Sequence, residues 1–293
     1  MLPQTFAFSQ SSLQDYADCP RRFQLRYLQR VAWPAVEAEP QVENERHRKM
    51  GELFHRLVHQ HILGVPVERL TRMTAGSRLG SPELQAWWQN YLKSEFNARK
   101  GFETGKYFPE FSLSGSLRGA SLTAKYDAIL ISGNPDNSSV TILDWKTTRQ
   151  RARRVWLASR LQTRVYLYLI TAAGGSLNGG TPFTPGQVDM FFWFAGFPDN
   201  PERFIYSERQ FKEDGDYLSD LIQRIQGAES QDFATCANPE ACKFCVYRSL
   251  CERGVRPGNL WDTDKPEQVP AQDDGSPQMD INFDFEQIAE IEF

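Results

Sequence analysis

The spacing of apolar positions changes period twice along the chain. Leu13, Tyr16, Phe23 and Tyr27 recur at helical spacing, with Ser11 or Ser12 as the cap and Pro20 as an interruption. Residues 34–42 are rich in Pro and Glu and read as a loop. The stripe Phe54, Leu57, Val58 and His61 predicts a second helix from about Asn44 to Leu63, and residues 64–80 read as loop. Pro82 opens a third helix with Leu84, Trp87, Trp88, Tyr91, Leu92 and Phe96 inward. Between Tyr107 and Lys146 the period falls to two. That predicts strands over 107–117, 121–131 and 140–146, with Asn134-Pro135-Asp136-Asn137 as a turn. An apolar helix from about Arg154 to Ala172 follows, then a Gly/Asn/Pro-rich loop over 174–186. Strands near 187–194 and 203–208 and a helix near 211–227 complete the pattern. Helices, hairpin strands, a crossover helix and another strand, in that order, predict an α/β fold with a mixed central sheet flanked by helices.

Composition narrows the class. A chain of 293 residues suits one large domain or two modest ones. With 40% apolar residues, 24% charged residues and a mean hydropathy of −0.53, it is neither membrane-embedded nor wholly disordered. The longest apolar run, Val188 to Pro198, is interrupted by Asp189 and Gly196 and is too short to span a bilayer. The N-terminus has no basic start and no long apolar segment. The expected location is therefore the cytoplasm, where five cysteines stay reduced and make no disulfide scaffold. The net charge of −4 is uneven. Residues 262–293 hold ten carboxylates and Lys265, a net −9, which leaves +5 on the rest. A mildly basic body with an acidic, Pro- and Asp-rich tail suits either nucleic-acid binding or an ordinary soluble protein with a polar tail.

The chemistry concentrates in Thr141-Ile142-Leu143-Asp144-Trp145-Lys146-Thr147-Thr148. On a strand, Asp144 and Lys146 share one face and Trp145 takes the other. Alone, this pair is also what a strand-end salt bridge looks like. The preceding strand places Asp127 among apolar residues, in Lys125-Tyr126-Asp127-Ala128-Ile129-Leu130, against its propensity. Hairpin pairing would bring Asp127 toward Asp144, and two carboxylates beside a lysine suit a hard cation and an activated water. Glu110 could add a third acid or be an ordinary exposed glutamate. His55, with Gly51 one turn earlier, lies at the margin of an apolar stripe. His59, one turn later, could pair with it on a metal, although no third ligand is evident. Gln162 and Tyr166 share a face of the helix after the Asp-x-Lys strand. A glutamine in so apolar a helix needs a partner, unless it is simply a surface residue beside a packed tyrosine.

Cysteines form the second constellation. Cys242-x2-Cys245-x5-Cys251 is tight, and Cys19 stands far off in Asp18-Cys19-Pro20-Arg21-Arg22-Phe23. Four thiolates can hold Zn²⁺ or a [4Fe–4S] cluster, and Cys236 is a spare or a competing ligand.

Taken in order, these elements resemble the PD-(D/E)xK nuclease superfamily, and within it the RecB-like exonucleases that carry an iron–sulfur cluster. The resemblance spans roughly Phe8 to Arg253. It runs through Cys-Pro-Arg-Arg-Phe, Gly-x3-His, Asp then Asp-x-Lys, Gln-x3-Tyr, and Cys-x2-Cys-x5-Cys. It implies a restriction-endonuclease-like core over 1–256 and a flexible acidic tail over 257–293. The N- and C-terminal segments would be joined by the cluster. It further implies Mg²⁺ or Mn²⁺ bound by His55, Asp127, Asp144 and the Trp145 carbonyl, with Lys146 at the attacking water and Gln162 and Tyr166 positioning the lysine and the DNA strand. Cys19, Cys242, Cys245 and Cys251 would ligate [4Fe–4S]. Arg21, Arg22, Lys243, Tyr247 and Arg248 would meet single-stranded DNA. The implied activity is a metal-dependent deoxyribonuclease. No helicase motif accompanies it. The alternative is a non-catalytic iron–sulfur subunit that binds nucleic acid in a repair complex, against which the presence of Asp127, Asp144 and Lys146 argues. Independently of the resemblance, apolar residues spaced among the acids of the tail suit a segment that binds a protein partner or covers the protein's own DNA channel, and equally a solubilising tail without a partner.

Overall fold

A computed structural model describes residues 2–3, 5–32, 41–76, 80–97, 105–133, 138–237, 239–242 and 245–254. The turn expected at 134–137, Lys243 and the acidic tail lie outside the described residues.

One mixed sheet of six strands organises the chain. The strands are β1 (Ala7–Ser9), β2 (Lys106–Leu117), β3 (Ala120–Ser132), β4 (Ser139–Lys146), β5 (Val188–Phe194) and β6 (Glu202–Ile205). β2 and β3 form a hairpin whose two turn residues, Arg118 and Gly119, both have positive φ, as a tight hairpin requires. β4 pairs antiparallel with β3 and parallel with β5, and β6 closes the order antiparallel to β5. The three-residue β1 pairs parallel with β3 at Ser121–Thr123, a strand too short to show a period in sequence.

Helices cover both faces. On one side lie α1 (Gln10–Asp18), α2 (Pro20–Phe23), α6 (Arg154–Ser159), α7 (Leu161–Ala173) and α8 (Glu208–Gly227). They supply Leu13, Phe23, Leu157, Val165 and Leu218 to the larger core. On the other lie α3 (Gln41–Ile62), α4 (Val67–Gly76) and α5 (Pro82–Lys93), which bury Phe54, Leu57, Leu70 and Trp88 against Trp145 and Trp193. The α/β class with a mixed, helix-flanked sheet is therefore as expected.

Three local expectations change. The cap of α1 is Ser9, not Ser11 or Ser12: its Oγ accepts the Ser12 N–H and Ser12 Oγ accepts its own, a reciprocal box. Residues 67–76 form α4 rather than loop, because Leu70 is buried under Trp88, whose indole N–H donates to Thr71 Oγ1 at 2.9 Å. The helix expected over Arg154–Ala172 is two helices, broken at Arg160, where the backbone is extended (ψ 143°).

One feature of β2 and β3 sets up the site. Ala120, Leu122, Ala124 and Tyr126 face the larger core, as strand alternation requires. Beyond Asp127 the alternation slips by one residue, so that Ala128 faces the smaller core and Ile129 the larger. The partner strand slips at the same level. Phe111 and Phe108 both pack on the larger core, and Tyr107 packs on the smaller. Glu110, between them and level with Asp127, has φ +49°, a left-handed conformation unusual for a side chain larger than glycine.

Candidate active site

The slip places two carboxylates where neither core claims them, and α3 brings a histidine to them. Gly51 lets α3 approach the end of β4, since a Cβ there would stand 2.7 Å from Thr147 Oγ1. One turn on, His55 Nδ1 lies 3.3 Å from Asp127 Oδ1. His55, Glu110 and Asp127 each offer a ligand atom within 4.8 Å of the other two, the metal-competent group found among the described residues. His59 stands outside it. Two carboxylates this close repel unless a cation or proton is shared, and the donor set of one imidazole and two carboxylates suits Mg²⁺ or Mn²⁺. Lys125 Nζ, 3.0 Å from Glu110 Oε2, offsets part of that charge.

Asp144 and Lys146 lie at the end of β4. Both are buried, at 3% and 4% exposure, and Lys146 Nζ lies 3.1 Å from Asp144 Oδ2. Gln162, on the first turn of α7, closes a triangle: its Nε2 donates to Asp144 Oδ1 at 2.7 Å and its Oε1 accepts from Lys146 Nζ at 3.1 Å. The amide thus satisfies both members of an ion pair that water hardly reaches. The Trp145 N–H donates to Asp127 Oδ2 at 2.9 Å, which ties the triangle to the histidine group, while the Trp145 ring sits in the smaller core. Tyr166, one turn beyond Gln162, is buried. Its hydroxyl donates to Lys125 O and accepts from Gln10 Nε2, and Tyr126 OH donates to Tyr166 O at 3.0 Å.

The structure therefore brings His55 and Asp127 together with Glu110, and Asp144 together with Lys146 and Gln162. Gln10 and Gln14 of α1 also reach α7, at Tyr166 and at the N–H of Leu161. Sequence reasoning passed over both, although two glutamines at i, i+4 share one side of a helix.

A chain covering most of this architecture matches the family model for the PD-(D/E)XK nuclease superfamily over residues 7–252. The chain belongs to that superfamily. Among solved structures, the chain is similar to a candidate exonuclease from Eubacterium rectale, with TM-score 0.48 and 12% identity over 88% of this chain and 92% of that one. It is also similar to the protein SSO0001, with TM-score 0.32 and 15% identity over 69% of this chain and 94% of that one. No curated protein matches it. Among the described residues of this superfamily member, no helix is long and apolar enough to cross a membrane.

The cysteines gather at the far end of α1. Cys236 Sγ and Cys242 Sγ are 3.7 Å apart. Burial raises the thiol of Cys236 to about 12 and that of Cys245 to about 11, and the nearby Cys19 and Cys242 add to both shifts. Cys251 is pushed up by the same causes. The N-terminal and C-terminal segments meet here: the Arg21 N–H donates to Ala234 O, and Phe23 stacks on Phe233 with ring centres 6.3 Å apart. Three residues expected to face DNA face inward instead. Arg22 is engaged by Asp15 and Asp18, Tyr247 OH donates to Val31 O, and the buried Arg248 donates to Cys245 O. Each satisfies a backbone or carboxylate group of the two joined segments, which the sequence pattern alone does not reveal.

Proposed function

We propose that this chain is a RecB-like, divalent-metal-dependent exonuclease that hydrolyses single-stranded DNA. The observation that carries the reading is the junction of two groups: His55–Glu110–Asp127, and the buried Asp144–Lys146–Gln162 triangle, linked through the Asp127–Trp145 hydrogen bond. His55, Asp127 and Glu110 would hold Mg²⁺ or Mn²⁺, with Asp144 and the Trp145 carbonyl next to them. When bound, the ion supplies positive charge for the phosphorane-like transition state and acidifies a water. Hydrolysis adds that water across one P–O bond: the phosphate keeps the hydroxyl and the leaving sugar oxygen takes the proton. Lys146 orients the attacking water and offsets phosphate charge, and its ammonium is kept in place by Asp144 and Gln162. Tyr166 anchors the helix that carries Gln162.

The nuclease domain spans residues 1–256, and the tail over 257–293 acts in trans on a partner or in cis on the DNA channel. Cys19, Cys242, Cys245 and Cys251 would hold a [4Fe–4S] cluster that staples the first and last segments of the domain. The convergence of the thiols from both ends of the domain supports that staple. A DNA-repair, recombination or CRISPR-related setting fits an enzyme of this kind, as does the cytoplasm.

The test is cleavage of a single-stranded oligonucleotide, labelled at either end, with Mn²⁺. The wild-type protein should shorten it stepwise, and Lys146→Ala should lose about 10²–10³ in rate, as when one transition-state donor is removed. Binding without cleavage by the wild type would return the non-catalytic alternative.

A further inference from the structure

The first turn of α7 carries Gln162, yet Arg160, the residue at its cap, makes no side-chain cap. The leading N–H groups of a helix have no partner within it and need one from elsewhere. Leu161 N finds it in α1: Gln14 Oε1 accepts it at 3.0 Å, from 147 residues away in sequence. The Gln14 amide cannot turn over, because its Nε2 donates to Asp18 Oδ1 at 2.7 Å. One turn earlier on α1, Gln10 Nε2 donates to Tyr166 OH at 3.3 Å, so α1 grips α7 at both ends of the turn that bears Gln162. Gln10 and Gln14 are both buried.

We propose that Gln14 is a positioning residue for the Asp144–Lys146–Gln162 triangle: it caps α7 in trans and so sets where Gln162 holds the ammonium of Lys146. The proposal rests on the nuclease reading for its catalytic consequence, but not for its geometry. Gln162 follows directly on the capped residue, and its amide bonds both Asp144 and Lys146. An uncapped first turn lets Leu161 and Gln162 fray toward the extended backbone already present at Arg160. Displacing a catalytic group by about 1 Å can cost up to about 10²-fold in rate.

The experiment uses the full chain and two variants. Gln14→Leu fills nearly the same volume and makes neither hydrogen bond. Gln14→Glu keeps an acceptor for the Leu161 N–H, but it loses the donation to Asp18 and sets a second carboxylate against it, so it is read at a pH low enough to protonate one of the two. Two readouts run in parallel. The first is the rate at which acetic anhydride labels Lys146, together with hydrogen exchange at Leu161 and Gln162. The second is single-stranded DNA cleavage with Mn²⁺, separated into kcat and KM. In Gln14→Leu, Lys146 labelling should rise at least about tenfold and kcat should fall by up to about 10²-fold with KM within about twofold, while Gln14→Glu stays closer to wild type. Unchanged labelling and exchange in Gln14→Leu would overturn the proposal whatever the cleavage shows. So would a rise in exchange spread evenly over α7 and α8, which marks general loosening. Faster labelling in a protein whose wild type cleaves nothing would leave the positioning role standing and remove the nuclease reading.

Discussion

Asp127 accepts the backbone N–H of Trp145 through Oδ2 at 2.9 Å, one residue past Ala128 on β3 and two past Leu143 on β4, the last pair of the two strands. A side chain thus takes the place of the next ladder bond just where the two strands part. Its other oxygen is left to face His55. This arrangement couples the metal group to the strand that carries Lys146, and it makes Asp127 structural as well as chemical. Asp127→Asn should therefore weaken Mn²⁺ binding in calorimetry far more than it lowers the unfolding free energy, because the amide oxygen still accepts from Trp145. Unchanged Mn²⁺ affinity beside a loss of stability would mean that the carboxylate charge matters only for the fold.

Lys146→Ala should be costly to stability as well as to rate. Removing one member of a buried ion pair strands the other, typically at about 3–5 kcal/mol. Asp144 would keep the Gln162 amide but lose the charge that offsets its own. The double variant Asp144→Asn/Lys146→Met should regain most of that stability and none of the activity. Denaturant unfolding of the two variants, read beside cleavage, checks this.

Glu110 offers a cleaner separation of strain from chemistry. Glu110→Ala and Glu110→Gly both delete the carboxylate, so both should weaken Mn²⁺ binding alike. At φ +49° only glycine is free of the Cβ penalty, so the glycine variant should be the more stable by about 1 kcal/mol. A stability order of alanine above glycine would show that the left-handed conformation relaxes once the carboxylate is gone.

Asp214 gives a pH signature away from the site. Burial raises its carboxyl above the usual carboxylate range, against the opposing pull of Gln210, Arg164 and Tyr206. Its folded pKa exceeds the unfolded one. Its stabilising contribution is therefore full below the unfolded value, about 4, and is lost as pH rises through the raised folded value. The difference between the wild-type and Asp214→Asn stability profiles should carry that slope, measured by denaturant unfolding across the acid range. A flat difference would place the folded pKa at the ordinary value.

For the cysteines, anaerobically purified protein should be brown with broad visible absorbance. Cys19→Ala and Cys242→Ala should bleach it and lower stability, because Cys19 and Cys242 belong to opposite ends of the described chain. Cys236→Ser should keep the colour. Colourless protein with one equivalent of zinc would keep the thiolate site and refute iron.

Much of this was legible in the sequence because period and chemistry coincide. The two-residue alternation from Tyr107 to Lys146 marked β2, β3 and β4, and an acid inside an apolar strand singled out Asp127. The helix of residues 67–76 was hidden by Gly64, Pro66 and Gly80, although Val67, Leu70 and Thr74 carry the helical spacing. The break at Arg160 has no local sign, neither Gly nor Pro, and the Leu161 N–H beside it finds its partner in a glutamine on another helix. Gln14 was legible only as one of two glutamines spaced i, i+4 on α1; that it caps another helix is a property of the tertiary fold.

The slip in β2 and β3 acts as a dislocation in the sheet. Ahead of it one parity of side chains belongs to the larger core, and behind it the other parity does, so Glu110 and Asp127 sit on the fault line itself. Such a defect cannot be moved along the ribbon without turning every residue it passes inside out. The place of the carboxylates is therefore protected topologically: mutation can change what stands there far more easily than where it stands.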